Sequence, residues 1–389
     1  MTNLKEIIAT EKLSEWYRHL HENPELSFTE VETSQYIFNI LSTFENIEVS
    51  RPTKTSVLGI LKGNGPGKTI ALRADIDALA IEEESDVEFK SKNIGVMHAC
   101  GHDAHTAILL GAACALSTMT SEFSGTVKFI FQHAEETPPG GAKELVELGI
   151  VSDVDYIFGF HVGPNFPVGL VGTRVGPMMA STDIFKITIQ GKGSHASTPH
   201  HSIDPITIGA EVVSNLNNIV SRNLDAFDPA VISLGRFTSG AAANVIPDTA
   251  ILEGTIRTLN KAVRETIKNR IHHMVDYIIK AYDATYTLDW QDGYNVLENN
   301  AEAVDIIRKS ASKIVGEHAV AEMPIIMGGE DFSAYLETTK GAFAFLGCGT
   351  AEEGCGYSTH HPKFKIDEKV LSLGVAIHLQ TVMDISGTF

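Results

Sequence analysis

A short stretch near residue 100, HACGHD at 98–103, concentrates residue types that bind metals or act as nucleophiles. Cys100 and His102 are two positions apart, so both side chains can face one point in a turning segment. The apolar segment AILLGAACAL follows at 107–116 and predicts a helix, whose N-terminal dipole stabilises a thiolate. The stretch alone leaves three interpretations open: a metal site, a nucleophilic cysteine with a histidine base, or a buried turn.

Acidic and imidazole side chains also occur where apolar, strand-like segments end. Asp75 and Asp77 follow the first such segment, Glu135 and Glu136 follow the second, and His161 lies at the end of the third. Ligands of α/β proteins bind outside the carboxyl ends of the strands, so we expect these side chains to meet there. The three segments are TIALRAD (69–75), TVKFIFQ (126–132) and DYIFGFHV (155–162).

One thiolate, one carboxylate and three imidazoles form the predicted ligand set, a combination that suits Zn, Mn, Co or Ni. Five ligands exceed what one tetrahedral ion needs, which indicates two ions that share ligands. Adjacent glutamates cannot both face one ion without strain, so we predict Glu136 as a ligand and Glu135 as the general base that deprotonates a metal-bound water. The ligands are Cys100, His102, Glu136, His161 and His360.

These side chains require a sheet to position them, and the segments around them predict one. Residues 4–20 and 29–43 are typical of amphipathic helices, the second with a capping box formed by Thr29 and Glu32. Apolar strands then alternate with helical segments at about 102–118 and 140–149. This alternation predicts an α/β domain, in which a sheet is layered by helices on both faces.

The pattern changes at about residue 182, where the order becomes β-α-β-β-α-β. This order is that of the ferredoxin-like split unit, so residues 182–292 are predicted to form a second, inserted domain. The first domain is then discontinuous and comprises 1–181 and 293–389, with a helix at 301–315, a strand at 341–347 and a last helix at 367–384.

Composition excludes several classes of partner. The formal net charge of −19, without a cluster of Lys and Arg, argues against binding to nucleic acid or to an anionic membrane. The charged N-terminal segment lacks the apolar stretch of a signal peptide, and the four cysteines have no disulfide-framework spacing. We therefore expect a cytoplasmic enzyme-sized protein.

A series of motifs runs over nearly the whole chain: RADIDAL (73–79), MHACGHDAH (97–105), AEE (134–136), GFHV (159–162), GKGSHASTPH (191–200), NVIPD (244–248), GTIRT (254–258), GEDF (329–332) and HHPKF (360–364). In these motifs and in their order, the chain resembles the metal-dependent amidohydrolases of the aminoacylase/carboxypeptidase superfamily. This group includes hippurate hydrolase, N-acyl-amino-acid amidohydrolases and auxin-conjugate hydrolases.

The resemblance implies two divalent ions, Mn or Zn, with Cys100 bridging them and Glu135 as the base. It implies that the inserted domain forms a homodimer and acts as a lid. It also implies that His195, Asn244 and Arg257 contact the substrate's carboxylate or the developing oxyanion. Asp75 stands where distant carboxypeptidase relatives have a histidine ligand, so both Asp75 and Asp77 are expected to orient ligands, with Asp77 the better candidate.

Three positions depart from the family pattern: His133 replaces a proline, Gly329 replaces a serine, and Ser202 replaces a glycine. None is a predicted ligand, so the departures concern substrate fit. The expected reaction is hydrolysis of N-acyl-amino acids to a carboxylate and a free amino acid. A dipeptidase or carboxypeptidase, an N-acetyl-diaminopimelate deacetylase, a hydrolase with Cys100 as nucleophile, and a binding protein without activity are the alternatives.

Overall fold

In the computed structural model, which describes residues 10–387, helices and strands alternate over most of the chain. The predicted helix over 4–20 is observed from residue 10 onward, and its earlier part lies outside the described residues. Within residues 10–387 no helix combines the length and the apolar character needed to cross a bilayer. The α-helices are α1 Thr10–Glu22, α2 Val31–Leu41, α3 His102–Ser117, α4 Gly141–Glu147, α5 Pro205–Asn223, α6 Lys261–Ala281, α7 Ala301–Val315, α8 Ser333–Leu336 and α9 Lys369–Ser386.

The strands fall into one large sheet, one four-stranded sheet and shorter pairs. Those before residue 180 are β1 Ile47–Ser50, β2 Val57–Lys62, β3 Thr69–Asp75, β4 Thr126–Gln132, β5 Tyr156–Gly163, β6 Val171–Thr173 and β7 Gly176–Met179. Those after it are β8 Ser181–Gln190, β9 Ser194–His195, β10 Ala230–Ser239, β11 Val245–Ile246, β12 Thr249–Thr258, β13 Thr285–Asp292, β14 Leu297–Asn299, β15 Val320–Glu322 and β16 Gly341–Gly347.

The large sheet has the order β1-β2-β4-β3-β5-β16-β6-β15 and is mixed. Its centre is parallel, since β4, β3, β5 and β16 all run in one direction. Every residue of β5 and β16 is buried, as expected for central strands covered on both faces.

Two successive residues of β5 show that both faces of the large sheet are covered. Phe160 stacks on His378 of α9 with ring centroids 4.2 Å apart. A side chain at Gly159 would point at Phe332, which precedes α8. Because neighbouring side chains of a strand point to opposite faces, α9 and the α8 region lie on different sides of the sheet. The predicted α/β class, with a large mixed sheet, is therefore observed.

The chain divides into two compact units. The first contains the large sheet and comprises the described residues of Met1–Met178, Glu298–Pro324 and Asp331–Phe389. The second comprises Met179–Leu297 and Ile325–Glu330. The predicted boundaries of the inserted domain, 182–292, fall inside the first segment of this second unit, and the return of Ile325–Glu330 to it was not predicted.

The second unit is built on an antiparallel sheet with the order β10-β12-β8-β13. The strands of this sheet and the two helices follow one another as β8, α5, β10, β12, α6 and β13, which is the predicted β-α-β-β-α-β order. The short strands β9 and β11 pair with each other outside this sheet. Apolar residues of α5, α6 and the sheet form a separate hydrophobic core.

One local prediction is wrong. Thr29 does not cap α2, because its hydroxyl donates to the carbonyl of Leu26 instead. The carboxylate of Glu25 accepts hydrogen bonds from the backbone N–H groups of Glu32 and Thr33, so the cap comes from outside the predicted box.

Candidate metal centre

The parallel strands β3, β4 and β5 bring the predicted site residues to one edge of the large sheet. Asp75, the last residue of β3, pairs with Gln132, the last residue of β4. His161 lies near the end of β5, the other neighbour of β3. The two acidic turns and the imidazole therefore leave the sheet side by side, as the sequence predicted.

Gly101 forms the turn between Cys100 and His102. Its φ of 89° is left-handed, and an added Cβ would lie 2.3 Å from the Cγ2 atom of Val162. Glycine is therefore required at this position for both conformation and space. Helix α3 begins immediately afterwards at His102, so Cys100 precedes the helix and His102 lies in its first turn.

The predicted ligands, together with Glu135, form three groups of three side chains, and within each group the ligand atoms lie within 4.8 Å of one another. The groups share members and form one cluster at the edge of the sheet. They are Cys100, His102 and His161; Cys100, Glu136 and His360; and His102, Glu135 and Glu136.

The imidazoles present ring nitrogens to this cluster. His161 Nδ1 lies 2.8 Å from the carbonyl oxygen of Val162, and its Nε2 lies 3.3 Å from Cys100 Sγ. His102 Nδ1 lies 2.9 Å from the carbonyl oxygen of Asp77. A carbonyl only accepts, so in both rings Nδ1 carries a hydrogen and Nε2 is the nitrogen that would ligate a metal.

His360 reaches the cluster from the C-terminal part of the chain. Its backbone N–H donates to the carbonyl of Ala99 at 2.7 Å, which ties the segment to the stretch around Cys100. Its Nε2 lies 3.3 Å from Glu136 Oε1, and its side chain is 52% exposed, so the cluster is open to solvent on this side.

Two buried polar atoms in the cluster lack a partner in hydrogen-bond geometry: His102 Nε2 and Glu136 Oε1. These two atoms lie 3.8 Å apart. His360 Nε2 lies 3.3 Å from Glu136 Oε1, but the angles of this contact are not those of a hydrogen bond. Buried polar atoms without partners are costly, which points to a group that binds between them.

The charge of the cluster indicates that this group is a cation. Burial raises the pKa of the Cys100 thiol well above its ordinary value, and the nearby carboxylates of Glu136 and Glu135 raise it further. Burial lowers the pKa of His102, but the carboxylates of Asp75 and Asp77 prevail and raise it to about 10. Thiol, imidazole and carboxylate donors in a strongly negative field fit divalent transition metals.

Asp77 contacts three residues of the cluster through its carboxylate. Its Oδ1 lies 3.3 Å from His102 Nδ1 and accepts the N–H of Glu135 at 3.0 Å. Its Oδ2 accepts the N–H of Glu136 at 3.0 Å and the hydroxyl of Ser27 at 2.7 Å. Burial acts to raise the pKa of Asp77, but His102 and these donors hold it below its ordinary value.

A buried ion-pair network beneath the cluster was missed from the sequence. Arg73 donates to Asp75 at 2.6 Å, to Asp331 at 2.7 Å and to Gln132 at 2.8 Å. Asp75 also lies 2.6 Å from Nδ1 of His105, whose Nε2 accepts the N–H of Val162. An arginine inside the apolar strand TIALRAD was the available signal, because a buried guanidinium requires acidic partners.

The other histidines near the site have separate environments. His98 is fully buried with neither ring nitrogen in a hydrogen bond, and burial lowers its pKa to about 4. His133, which departs from the family pattern, lies 3.0 Å from the partly exposed Glu144. These contacts do not place either ring among the grouped ligand atoms.

The three predicted substrate contacts belong to the second unit. His195 is exposed, and its Nδ1 lies 2.7 Å from the hydroxyl of Ser197. Asn244 is adjacent, since its carbonyl accepts the N–H of Ala196. Arg257 lies in β12, and partial burial lowers its pKa. The structure thus brings His195 and Asn244 together, and the substrate role of all three stays a prediction.

Comparisons with known proteins agree with this arrangement. Thermostable carboxypeptidase 2 of Saccharolobus solfataricus is 45% identical over 93% of this chain and 92% of its own. The N-acyl-L-amino acid amidohydrolase of Geobacillus stearothermophilus is 47% identical over 74% of this chain and 78% of its own.

A solved structure shares the fold over the whole chain. The YXEP protein of Bacillus subtilis, described as a dinuclear metal-binding peptidase, has a TM-score of 0.84 at 36% identity, and the match covers 98% of this chain and 99% of that one. The model of peptidase family M20/M25/M40 matches residues 71–384. The chain therefore belongs to peptidase family M20/M25/M40, which confirms the predicted resemblance to metal-dependent amidohydrolases.

Proposed function

We propose that this protein hydrolyses the amide bond of N-acyl-amino acids and releases a carboxylate and a free amino acid. Membership of the family shows that the protein is a metal-dependent amidohydrolase, which confirms the prediction from the sequence. The observation that carries the proposed hydrolysis is the cluster in which a second carboxylate, Glu135, lies beside the ligand atoms of His102 and Glu136. The substrate class is supported by the relative with 47% identity, which is named an N-acyl-L-amino acid amidohydrolase.

We propose that two divalent ions, Mn or Zn, bind the cluster, with Co or Ni as further possibilities. His102 and His161 group with Cys100, and Glu136 and His360 also group with Cys100, which supports a shared thiolate between two ions. When bound, such ions lower the pKa of water and polarise the amide carbonyl.

Glu135 is the proposed general base. Its carboxylate accepts the proton of the attacking water and donates it to the amide nitrogen as that bond breaks. Its backbone N–H is fixed by Asp77, so the side chain starts from a defined position. Asp77 holds the Nδ1 hydrogen of His102 and so keeps Nε2 available for the ion.

The roles of the second unit are proposals of the same kind. His195, Asn244 and Arg257 are proposed contacts for the substrate's carboxylate or the oxyanion that develops on the carbonyl, because Arg binds carboxylates bidentately and imidazole can donate to an oxyanion. The β-α-β-β-α-β unit is proposed to be ferredoxin-like, to form a homodimer and to act as a lid. A cytoplasmic location stays a prediction.

Carboxypeptidase activity is the second candidate, since the relative with 45% identity bears that name. A panel of N-acetyl-, N-benzoyl- and dipeptide substrates, with and without added Mn and after metal analysis, separates the two and includes N-acetyl-diaminopimelate. Cys100 as a nucleophile is disfavoured, because the carboxylates of Glu135 and Glu136, which lie beside His102, would then have no role.

Replacement of Glu135 by Gln tests the catalytic assignment. We expect bound metal to stay at the wild-type level and turnover to fall by about a hundredfold or more, the scale of general-base catalysis. Glu144→Gln is the matched control, because Glu144 is a partly exposed residue on α4 outside the cluster. Near-wild-type turnover of Glu135→Gln, or an equal loss in the control, would refute the assignment of the base.

A further inference from the structure

The turn that carries the two adjacent glutamates has an unusual backbone. Ala134 has a φ of 52°, in the left-handed region that non-glycine residues seldom adopt. Three successive N–H groups around this turn each donate to a carboxylate. Glu135 and Glu136 donate to the two oxygens of Asp77 at 3.0 Å each, and Ala134 donates to Oε1 of Glu30 at 2.7 Å.

Glu30 is therefore a second carboxylate that holds this turn, and it lies 104 positions away in the chain. Its side chain is completely buried, whereas carboxylates are seldom fully buried without a charged partner. Burial is the main cause that raises its pKa, to about 7. Its other oxygen, Oε2, has no partner in hydrogen-bond geometry.

Glu30 does not serve the helix it precedes. It occupies the position before α2, where a side chain usually accepts a hydrogen bond from the first turn, but it makes no such bond. Glu25 takes that part and accepts the N–H groups of Glu32 and Thr33. A buried carboxyl that neither caps its helix nor pairs with a cation is explained by its bond to Ala134.

We propose that Glu30 is a positioning residue, which acts through the N–H of Ala134 to hold the turn that presents Glu135 and Glu136 to the metal cluster. This inference rests on the proposed function, in which Glu135 is the base and Glu136 a ligand. Asp77 fixes the two peptides that follow Ala134, and Glu30 fixes the peptide that precedes them. Without Glu30, the strained residue is released on its N-terminal side.

Two conservative variants separate the reach of the side chain from its charge. Glu30→Gln keeps the length and a carbonyl-type acceptor for Ala134 but loses the charge. Glu30→Asp keeps the carboxylate but is one methylene shorter and cannot keep the 2.7 Å bond without a backbone shift. Ser34→Ala is the matched control, because Ser34 is equally buried on α2 and its hydroxyl has no hydrogen-bond partner.

The assay measures kcat and KM at saturating Mn for the substrate that the wild-type protein turns over best. We expect Glu30→Asp to lower kcat by about ten- to a hundredfold, because small misplacements of catalytic groups cost that much, while Glu30→Gln and Ser34→Ala stay near wild type. A wild-type kcat for Glu30→Asp, or equal losses in the Asp and Gln variants, would overturn the proposal that the length of the Glu30 side chain positions the turn.

A double-variant cycle distinguishes positioning from general stability. If Glu30 acts through Glu135, Glu30→Asp should have little further effect on the residual turnover of Glu135→Gln. A full multiplicative loss in the double variant, with bound Mn at the wild-type level, would show that Glu30 acts through neither glutamate and would overturn the inference. An active Glu135→Gln single variant would instead overturn the proposed base, so the two failures are distinguishable.

Discussion

Replacement of Arg73 by Met should strongly destabilise the first unit. The guanidinium is 1% exposed and donates three hydrogen bonds, to Asp75, Asp331 and Gln132, at 2.6, 2.7 and 2.8 Å. Met fills a similar volume but leaves two buried carboxylates without their cation. Removal of one partner from a buried ion pair costs about 3–5 kcal/mol, so we expect a loss of that size in the free energy of unfolding.

The two carboxylates depend on Arg73 to different degrees. Burial acts to raise the pKa of Asp75, but His102 and Arg73 hold it well below its ordinary value. For Asp331 burial prevails over the attraction of Arg73, and its pKa is raised. The variant therefore loses most through Asp75, which is charged at neutral pH. The free energy of unfolding of Arg73→Lys should lie between those of the wild type and Arg73→Met. The ammonium keeps the positive charge, but it cannot bind all three acceptors as the planar guanidinium does.

The measurement needs a probe confined to the first unit, because two-unit proteins can unfold in steps. The sequence contains two tryptophans, Trp16 in α1 of the first unit and Trp290 in β13 of the second. In a Trp290→Phe background, urea unfolding followed by fluorescence reports on Trp16 alone.

Arg18→Met is the matched control for this measurement. Arg18 pairs with Glu368 at 2.9 Å, but its side chain is 52% exposed, and exposed pairs contribute less than about 1 kcal/mol. If Arg73→Met destabilises no more than Arg18→Met, the reasoning from buried charge is refuted.

Two further predictions concern the stretch around α3. Gly101→Ala should lose bound metal and lower the midpoint of urea unfolding. The reason is that the added Cβ would lie 2.3 Å from Val162, at a residue with a φ of 89°. A wild-type metal content in this variant would contradict the prediction. Burial acts to lower the pKa of His21, but Asp103 and Glu83 raise it from 6.5 to about 9. The charge on His21 therefore stabilises the fold fully below pH 6.5, and this contribution is lost as pH rises through about 9. The free energy of unfolding of the wild type should fall over this window, and that of His21→Gln should not. Parallel pH profiles of the two proteins would argue against this role of His21.

The central strands and their polar ends were predictable because each signal is local. TIALRAD, TVKFIFQ and GAFAFLG are predominantly apolar segments, and the structure shows them as β3, β4 and β16 with the predicted bounds. The edge strands β1 and β15, and β6 next to β15, have only three or four residues and no apolar run. Such strands exist because a neighbour supplies hydrogen bonds, which a single sequence does not display.

The candidate site divides in the same way. Four of the predicted ligands meet because they lie at the ends of parallel strands or at the start of α3, and His360 joins them from the C-terminal part of the chain. Asp75 and Asp77 were expected to orient ligands, but the network behind Asp75 was missed, because its partners are distant in the chain: Arg73 and Asp331 are 258 positions apart. His21 is buried and lies 2.7 Å from Asp103, 82 positions away, and the helical pattern around His21 gives no sign of this partner. Such pairs follow from the fold and not from any local pattern.

The adjacent glutamates show how the fold resolves a conflict that the sequence reveals. In a regular strand, successive side chains point to opposite faces, so Glu135 and Glu136 could not serve one site. A left-handed residue before them, Ala134, turns the chain so that both reach His102. That conformation costs about 1–2 kcal/mol in a residue with a Cβ. Hydrogen bonds to charged groups contribute about 1.5–3 kcal/mol each, so the two N–H bonds to the carboxylate of Asp77 outweigh the strain, and the bond from Ala134 to Glu30 adds to them. The turn is therefore stable and holds a base beside a ligand.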